Sequence, residues 1–140
     1  ADTEWISIDA THVRAHQSSA GAVGGGHQNI AKSIGGNSSK IHLAVDAHGN
    51  PLEFLVGDGI THDIKIAPML LQLLDLKDTE FLNADKGYDS EEFRNLAYTK
   101  GVRANIPRKK NARTSNSHMD WLIYQARHVV ENTFANLKHY

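Results

Sequence analysis

Trp5, Ser7, Asp9 and Thr11 alternate with Ile6 and Ile8, and this period of two predicts a strand over Trp5–Val13. From Gln17 to Ser39 the pattern collapses into Gly, Ser, Asn and Ala, with Gly24-Gly25-Gly26 and Gly35-Gly36, which predicts a long loop. The spacing of a phosphate-cradling glycine loop is missing from it. Lys40–Asp46 and Leu52–Val56 read as strands flanking Ala47-His48-Gly49-Asn50-Pro51, a tight turn, so the three form a hairpin with Asp46 as a turn residue. Thr61-His62-Asp63 offers a cap to a helix carrying Ile64, Ala67, Met69, Leu70, Leu73 and Leu74 at helical spacing, with Pro68 in its first turn or two. Glu80–Ala84 is a short apolar strand. Ser90 with Glu91 and Glu92 caps a helix that runs to about Lys100 and ends at Gly101. Val102–Pro107 is a fifth strand, Arg108–His118 a basic Ser/Asn-rich loop, and an amphipathic helix runs from about Asp120 to the chain end.

Strands that first meander and then alternate with helices indicate an α/β fold, a mixed five-stranded sheet flanked by helices. A ribonuclease-H-like sheet has this order. The 140 residues, 40% of them apolar, suit one domain spanning 1–140. Without cysteine there is no disulfide or Cys-based zinc site, and a cytoplasmic protein is the default. No apolar run approaches the roughly 20 residues that span a bilayer, so no membrane partner is expected.

The net charge of −1 argues at first against nucleic acid. It hides an asymmetry. Residues 100–119 hold six bases (Lys100, Arg103, Arg108, Lys109, Lys110, Arg113) and no acid, leaving nine bases against 16 acids elsewhere.

Three acids stand in unusual places. Asp9 is in mid-strand, where Asp is disfavoured. Asp85 follows a strand's C-terminal end, where α/β sheets build their sites. Glu131 lies in the last helix. Together such carboxylates suit hard divalent cations and two-metal chemistry at a phosphodiester. At about 100° per residue, Tyr124, Arg127, Glu131 and Lys138 fall within about 60° of arc, beside a core stripe of Leu122, Ile123, Ala126, Val129, Val130, Phe134 and Leu137. A solvated Arg127–Glu131 ion pair at i,i+4 explains part of that pattern equally well from periodicity alone. His12 and His16 fall on strand and loop, so their spacing does not make a zinc site. His42 and His128 read as structural histidines. Trp5 and Trp121 read as core or edge aromatics, with base stacking open to Trp121.

The spacing Tyr124-x2-Arg127-x3-Glu131-x6-Lys138 resembles the Y-R-E-K signature of DDE transposases of bacterial insertion sequences, the IS-four/IS-five superfamily. The stretches ISIDATHVRAHQ, SIGGNSSKIHLAVDAHGNPLEFLV and LNADKGYDS resemble that family's catalytic blocks in the same order, from about Ile6 to Lys138. The resemblance implies a ribonuclease-H-like fold and the acid triad Asp9, Asp85 and Glu131 holding two Mg²⁺ or Mn²⁺ ions. It also implies cleavage at transposon ends followed by 3′-OH strand transfer into target DNA. Tyr124, Arg127 and Lys138 would hold the DNA end, and Arg108, Lys109, Lys110 and Arg113 would lie along the phosphate backbone. Asp89 competes with Asp85 for the second acid, but Asp85 abuts the strand, whereas Asp89 is expected to cap the next helix. A homo-oligomer on DNA and a bacterial cytoplasmic, nucleoid-associated location follow from the same resemblance. The alternatives are a metal nuclease of the same fold without strand transfer and a non-catalytic DNA-binding remnant. The sequence departs from the family where Ile34 separates Ser33 from Gly35 and Lys32 is the only nearby base. An N-terminal DNA-recognition part and further C-terminal helices, usual in the family, are expected to be absent, so the chain is expected to be a catalytic core.

Overall fold

The computed structural model describes residues 2–13 and 39–137. Lys138 and nearly all of the expected 17–39 loop lie outside the described residues, while Ser39 already belongs to a strand. The strands are β1 (Trp5–Val13), β2 (Ser39–Val45), β3 (Pro51–Asp58), β4 (Phe81–Asn83) and β5 (Arg103–Asn105). The helices are α1 (Asp63–Leu73), α2 (Glu91–Thr99), α3 (Trp121–Gln125) and α4 (His128–Leu137). The sheet order is β3-β2-β1-β4-β5. β1, β2 and β3 pair antiparallel, whereas β4 joins β1 and β5 joins β4 in parallel. The expected mixed five-stranded α/β sheet is therefore present.

Period-two alternation gives this sheet two buried faces. Ile6 and Ile8 share one face with Ala44, Leu82 and Ala84, beneath Ala67, Leu70 and Leu71 of α1 and Phe93 and Ala97 of α2. Ile41, Leu43 and Val45 take the other, beneath Val130 and Phe134 of α4. A one-residue slip of β2 would exchange the two sets, so burial on both faces pins its register. Pro68 lies inside α1, a full turn from its start. An interior proline costs about 3 kcal/mol. Burial of Leu70 and Leu71, each nearly sealed from solvent, contributes about 1.5–3 kcal/mol apiece and outweighs it.

The hairpin turn forms as expected. Gly49 has φ +88°, and Asp46 accepts from the His48 and Asn50 amides, both at 2.9 Å. Ser90 caps α2 by accepting from the Phe93 amide, so the cap expected of Asp89 is corrected: that carboxylate turns instead to Arg94 and the Lys109 amide. The α1 N-cap residue is His62, whose side chain makes no cap bond.

The single last helix is also corrected, because it breaks between Gln125 and His128. The Ala126, Arg127, Val129 and Val130 amides all donate three residues back. Such a turn advances about 120° per residue instead of about 100°. The cause is attachment at two places. Asn83 holds the Ile123 carbonyl at 3.0 Å, while α4 is held by Val130 and Phe134 on the sheet and by Thr133 donating to the Gly49 carbonyl. Leu122, assigned to the core stripe, is 80% exposed, on a short helix that buries none of its residues. No helix among the described residues is long and apolar enough to cross a membrane.

Candidate active site

Parallel pairing sets Ser7 opposite Asn83. Two residues further on each chain come Asp9 and Asp85, returned by the strand period to the same face. Asp9 lies opposite Leu43 of β2, which fixes that face as the one α4 covers. Asp85 remains extended and caps a short 3-10 turn, Lys86–Tyr88, by accepting from the Gly87 amide at 2.8 Å. A Cβ on Gly87 would stand 2.9 Å from that same oxygen, so only glycine lets the carboxylate sit there.

The electrostatics single out Asp9. Burial pushes its carboxyl up from 3.8 to about 6, opposed by the Ala10 amide, and the negative charge of Asp85 adds to the rise. Arg127 lowers it again, with Nη1 3.8 Å from Asp9 Oδ2, and Asp63 raises it further. Asp63, in the first turn of α1, is paired with Lys40 at 2.8 Å. The Tyr88 phenol is driven far above its usual range by burial and then by Asp63, Asp9 and Asp85. The arrangement is a concentration of negative charge with one guanidinium in attendance. That is the field a cation would relieve.

Arg127 lies over the Tyr124 ring, 5.2 Å from its centroid, and Trp121 meets Tyr124 edge-on at 5.6 Å. Burial raises the Tyr124 hydroxyl. The structure thus brings Asp9, Asp85, Tyr124 and Arg127 into one electrostatic neighbourhood. Glu131 is exposed on α4, beyond the break, and among the described residues no three acids or histidines stand close enough to hold a metal ion. The tighter turn between Arg127 and Val130 rotates Glu131 away from the phase that a continuous helix would give it. Of the bases, Arg108 is bound to Glu91 and lies 3.8 Å from Asp89, whereas Lys109, Lys110 and Arg113 are exposed.

Two residues that sequence reasoning missed hold this site together. Asn83 and Asn105 are buried side by side on β4 and β5, with Asn105 Nδ2 donating to Asn83 Oδ1 at 2.8 Å. Asn105 also donates to the Asp120 carbonyl and accepts from the Asp120 amide, at 3.0 and 2.9 Å. The pair staples the start of α3, and hence Tyr124 and Arg127, beside Asp9. The signal was present: an amide in the middle of a short apolar strand is disfavoured unless it has partners.

A mixed sheet in this order, with Asp9 on β1 and Asp85 just beyond β4 on one face, has the architecture of a ribonuclease-H-like fold. Among solved structures, the chain is similar to a chain of the simian T-cell lymphotropic virus intasome complex with a PP2A regulatory subunit. That match is 17% identical, with a TM-score of 0.57, over 99% of this chain and 39% of that one. The catalytic core domain of BIV integrase is 18% identical, TM-score 0.57, over 98% and 68%. In sequence, the chain is 33% identical to a Brucella ovis protein named as transposase for insertion sequence element IS6501, over 74% of this chain and 78% of that protein. It is 29% identical to its counterpart for element IS402 of Burkholderia cepacia, over 73% of this chain and 50% of that protein. The family model for the transposase DDE domain matches residues 1–140. The chain belongs to the transposase DDE domain family, and it is a transposase catalytic domain. The family, the fold and the enzyme class expected from the sequence are borne out. The chain spans about half the length of the second relative.

Proposed function

We propose that this domain cleaves DNA at transposon ends and transfers the resulting 3′-OH to target DNA, with Asp9, Asp85 and Glu131 as its acids. The observation that carries the reading is the paired Asp9 and Asp85 carboxylates, with Asp9 raised to about 6 by burial and then by its neighbour's charge. The Asp9 and Asp85 carboxylates suit a divalent ion, with hard oxygens, a surplus of negative charge and a carboxyl that gives up its proton reluctantly without a cation. Glu131 is not gathered with them among the described residues and is assigned by its place in the signature. Mg²⁺ or Mn²⁺ held by these acids would lower the pKa of an attacking water or hydroxyl and offset charge on the leaving oxygen.

The chain's own residues do the rest. Asp9, whose carboxyl is partly screened from water, would hold the ion beside the reacting phosphate from β1, and Asp85 would do so from just beyond the end of β4. Arg127, whose Nε has no partner among the described residues, releases Asp9 and takes a DNA phosphate, for which its planar fork is suited. Tyr124 supplies the surface on which that guanidinium rests. Lys138 is assigned to the DNA end by its place in the signature. The active form is a homo-oligomer on DNA in the bacterial cytoplasm, associated with the nucleoid.

The test uses an uncut and a pre-cleaved transposon end with Mn²⁺, reading nicking from the first and strand-transfer products from the second. Both are expected from the wild type and neither from Glu131→Gln. Full cleavage by Glu131→Gln would remove Glu131 from the set, and nicking without strand transfer would reduce the function to a nuclease. Calorimetry completes the test: Mn²⁺ binding that is unchanged in Asp85→Ala would overturn the assignment of the second acid.

A further inference from the structure

One buried ion pair lies outside that chemistry. The side chains of Asp89 and Arg94 are each 9% exposed. Arg94 Nε and Nη2 both reach Asp89 Oδ1, at 3.0 and 2.9 Å, and Nη2 also donates to the Ile106 carbonyl at 2.7 Å. The other Asp89 oxygen accepts from the Lys109 amide at 2.7 Å. The Arg108 amide donates to Asn116 Oδ1 at 2.8 Å, and a His118 ring N–H donates to the Ile106 carbonyl at 2.9 Å. The start of the basic loop is therefore tied directly to this ion pair, and its far end, through Asn116 and His118, is tied back to that start.

A buried ion pair is a poor stabilising device, because desolvation of both charges offsets most of their attraction. What it does supply is fixed geometry, and the element whose geometry it fixes is the most basic in the chain. Arg108 is neutralised locally by Asp89 and Glu91, yet Lys109, Lys110 and Arg113 project from the same loop into solvent and form no ion pair with a described residue.

We propose that Asp89 and Arg94 are positioning residues that hold residues 106–118 in the shape in which Lys109, Lys110 and Arg113 meet the phosphates of duplex DNA. The proposal rests on the DNA-directed function above. It makes an unusual demand on sign. By Coulomb's law alone, deleting an acid beside a basic loop strengthens binding to a polyanion. If Asp89 acts as a clamp, deleting it weakens binding.

The experiment measures affinity of the chain for a short random-sequence DNA duplex by fluorescence anisotropy across a salt series, with circular dichroism and thermal melts as folding controls. Asp89→Asn and Glu91→Gln remove the same charge, one from the clamp and one from its exposed rim. Asp89→Asn is expected to lose about tenfold in affinity and to flatten the log–log salt slope by about two, as phosphate contacts are lost. Glu91→Gln, which frees Arg108, is expected to bind at least as tightly as the wild type. Tighter binding by both variants would overturn the proposal. If Asp89→Asn does not fold, Arg94→Lys keeps the charge and removes the fork; it should show the same loss, and unchanged affinity would refute the clamp. A triple variant with Lys109, Lys110 and Arg113 changed to Ala separates the two readings. Unchanged binding by it means that this loop does not meet DNA, and both the clamp and that part of the proposed function fall. Lost binding by the triple variant, with wild-type affinity in Asp89→Asn and Arg94→Lys, sinks the clamp alone.

Discussion

Asp9→Asn should make the apo protein more stable at neutral pH, although it removes a proposed catalytic group. Folded, the carboxyl titrates at about 6 instead of 3.8, mainly through burial. Between those values the folded state binds the proton and the unfolded state does not, so stability falls as pH rises through the window. At about 1.4 kcal/mol per tenfold in proton affinity, the penalty above the folded pKa reaches roughly 3 kcal/mol. The pull of Arg127 is already contained in that value, since it acts in the opposite direction. Asparagine has nearly the same shape, and its amide oxygen can still accept from the Ala10 amide, now at 2.8 Å from Asp9 Oδ1. Urea unfolding of both proteins at about pH 4 and about pH 7.5 reads the difference: near zero at the lower value and up to roughly 3 kcal/mol in favour of the variant at the higher. Saturating Mg²⁺ should recover much of that gap in the wild type and do little for Asp9→Asn. A variant less stable than wild type at neutral pH, or a gap independent of pH, would refute the reasoning.

Two further outcomes follow from the same geometry. Arg127→Ala removes the one nearby positive charge named among the causes of the Asp9 shift, so the Asp9 titration should move above about 6. Carboxyl NMR would show it, and a downward move would contradict the placement of Arg127. Asn105→Ala breaks three bonds and leaves Asn83 without its buried partner; it should cost about 2–3 kcal/mol in urea unfolding and reduce cleavage activity more than stability alone explains. Wild-type cleavage in a folded Asn105→Ala protein would show that the staple does not set the site.

Much of this site was legible before any coordinates. The mid-strand position of Asp9 and the strand-end position of Asp85 depend only on period-two alternation and on the glycine that follows, and the structure aligns them through the Ser7–Asn83 register. The helix after Ser90 was equally legible, because a local cap needs only neighbouring residues. Asp89 was misread for the same reason: its partners, Arg94 and the Lys109 amide, include one from a distant loop that a local rule does not see. The last helix was drawn as continuous because helical phase counts residues and ignores what each turn must touch. Asn83 and Asn105 passed unnoticed because their meaning lies across the sheet, in each other and in Asp120.

The sequence by itself determined the elements whose causes are local or periodic: the strand pattern, the Gly49 turn, the Ser90 cap, and the spacing that marks the transposase family. The tertiary structure alone decided how far apart those elements put their charges. Sheet pairing sets Asp9 beside Asp85, burial then lifts the Asp9 pKa, and attachment of the last segment at Asn83 and again at Gly49 breaks its helix between Gln125 and His128, ahead of Glu131. Periodicity reports one face of one element. Distances between elements come from the anchors that several elements share, and those are not written in any one of them.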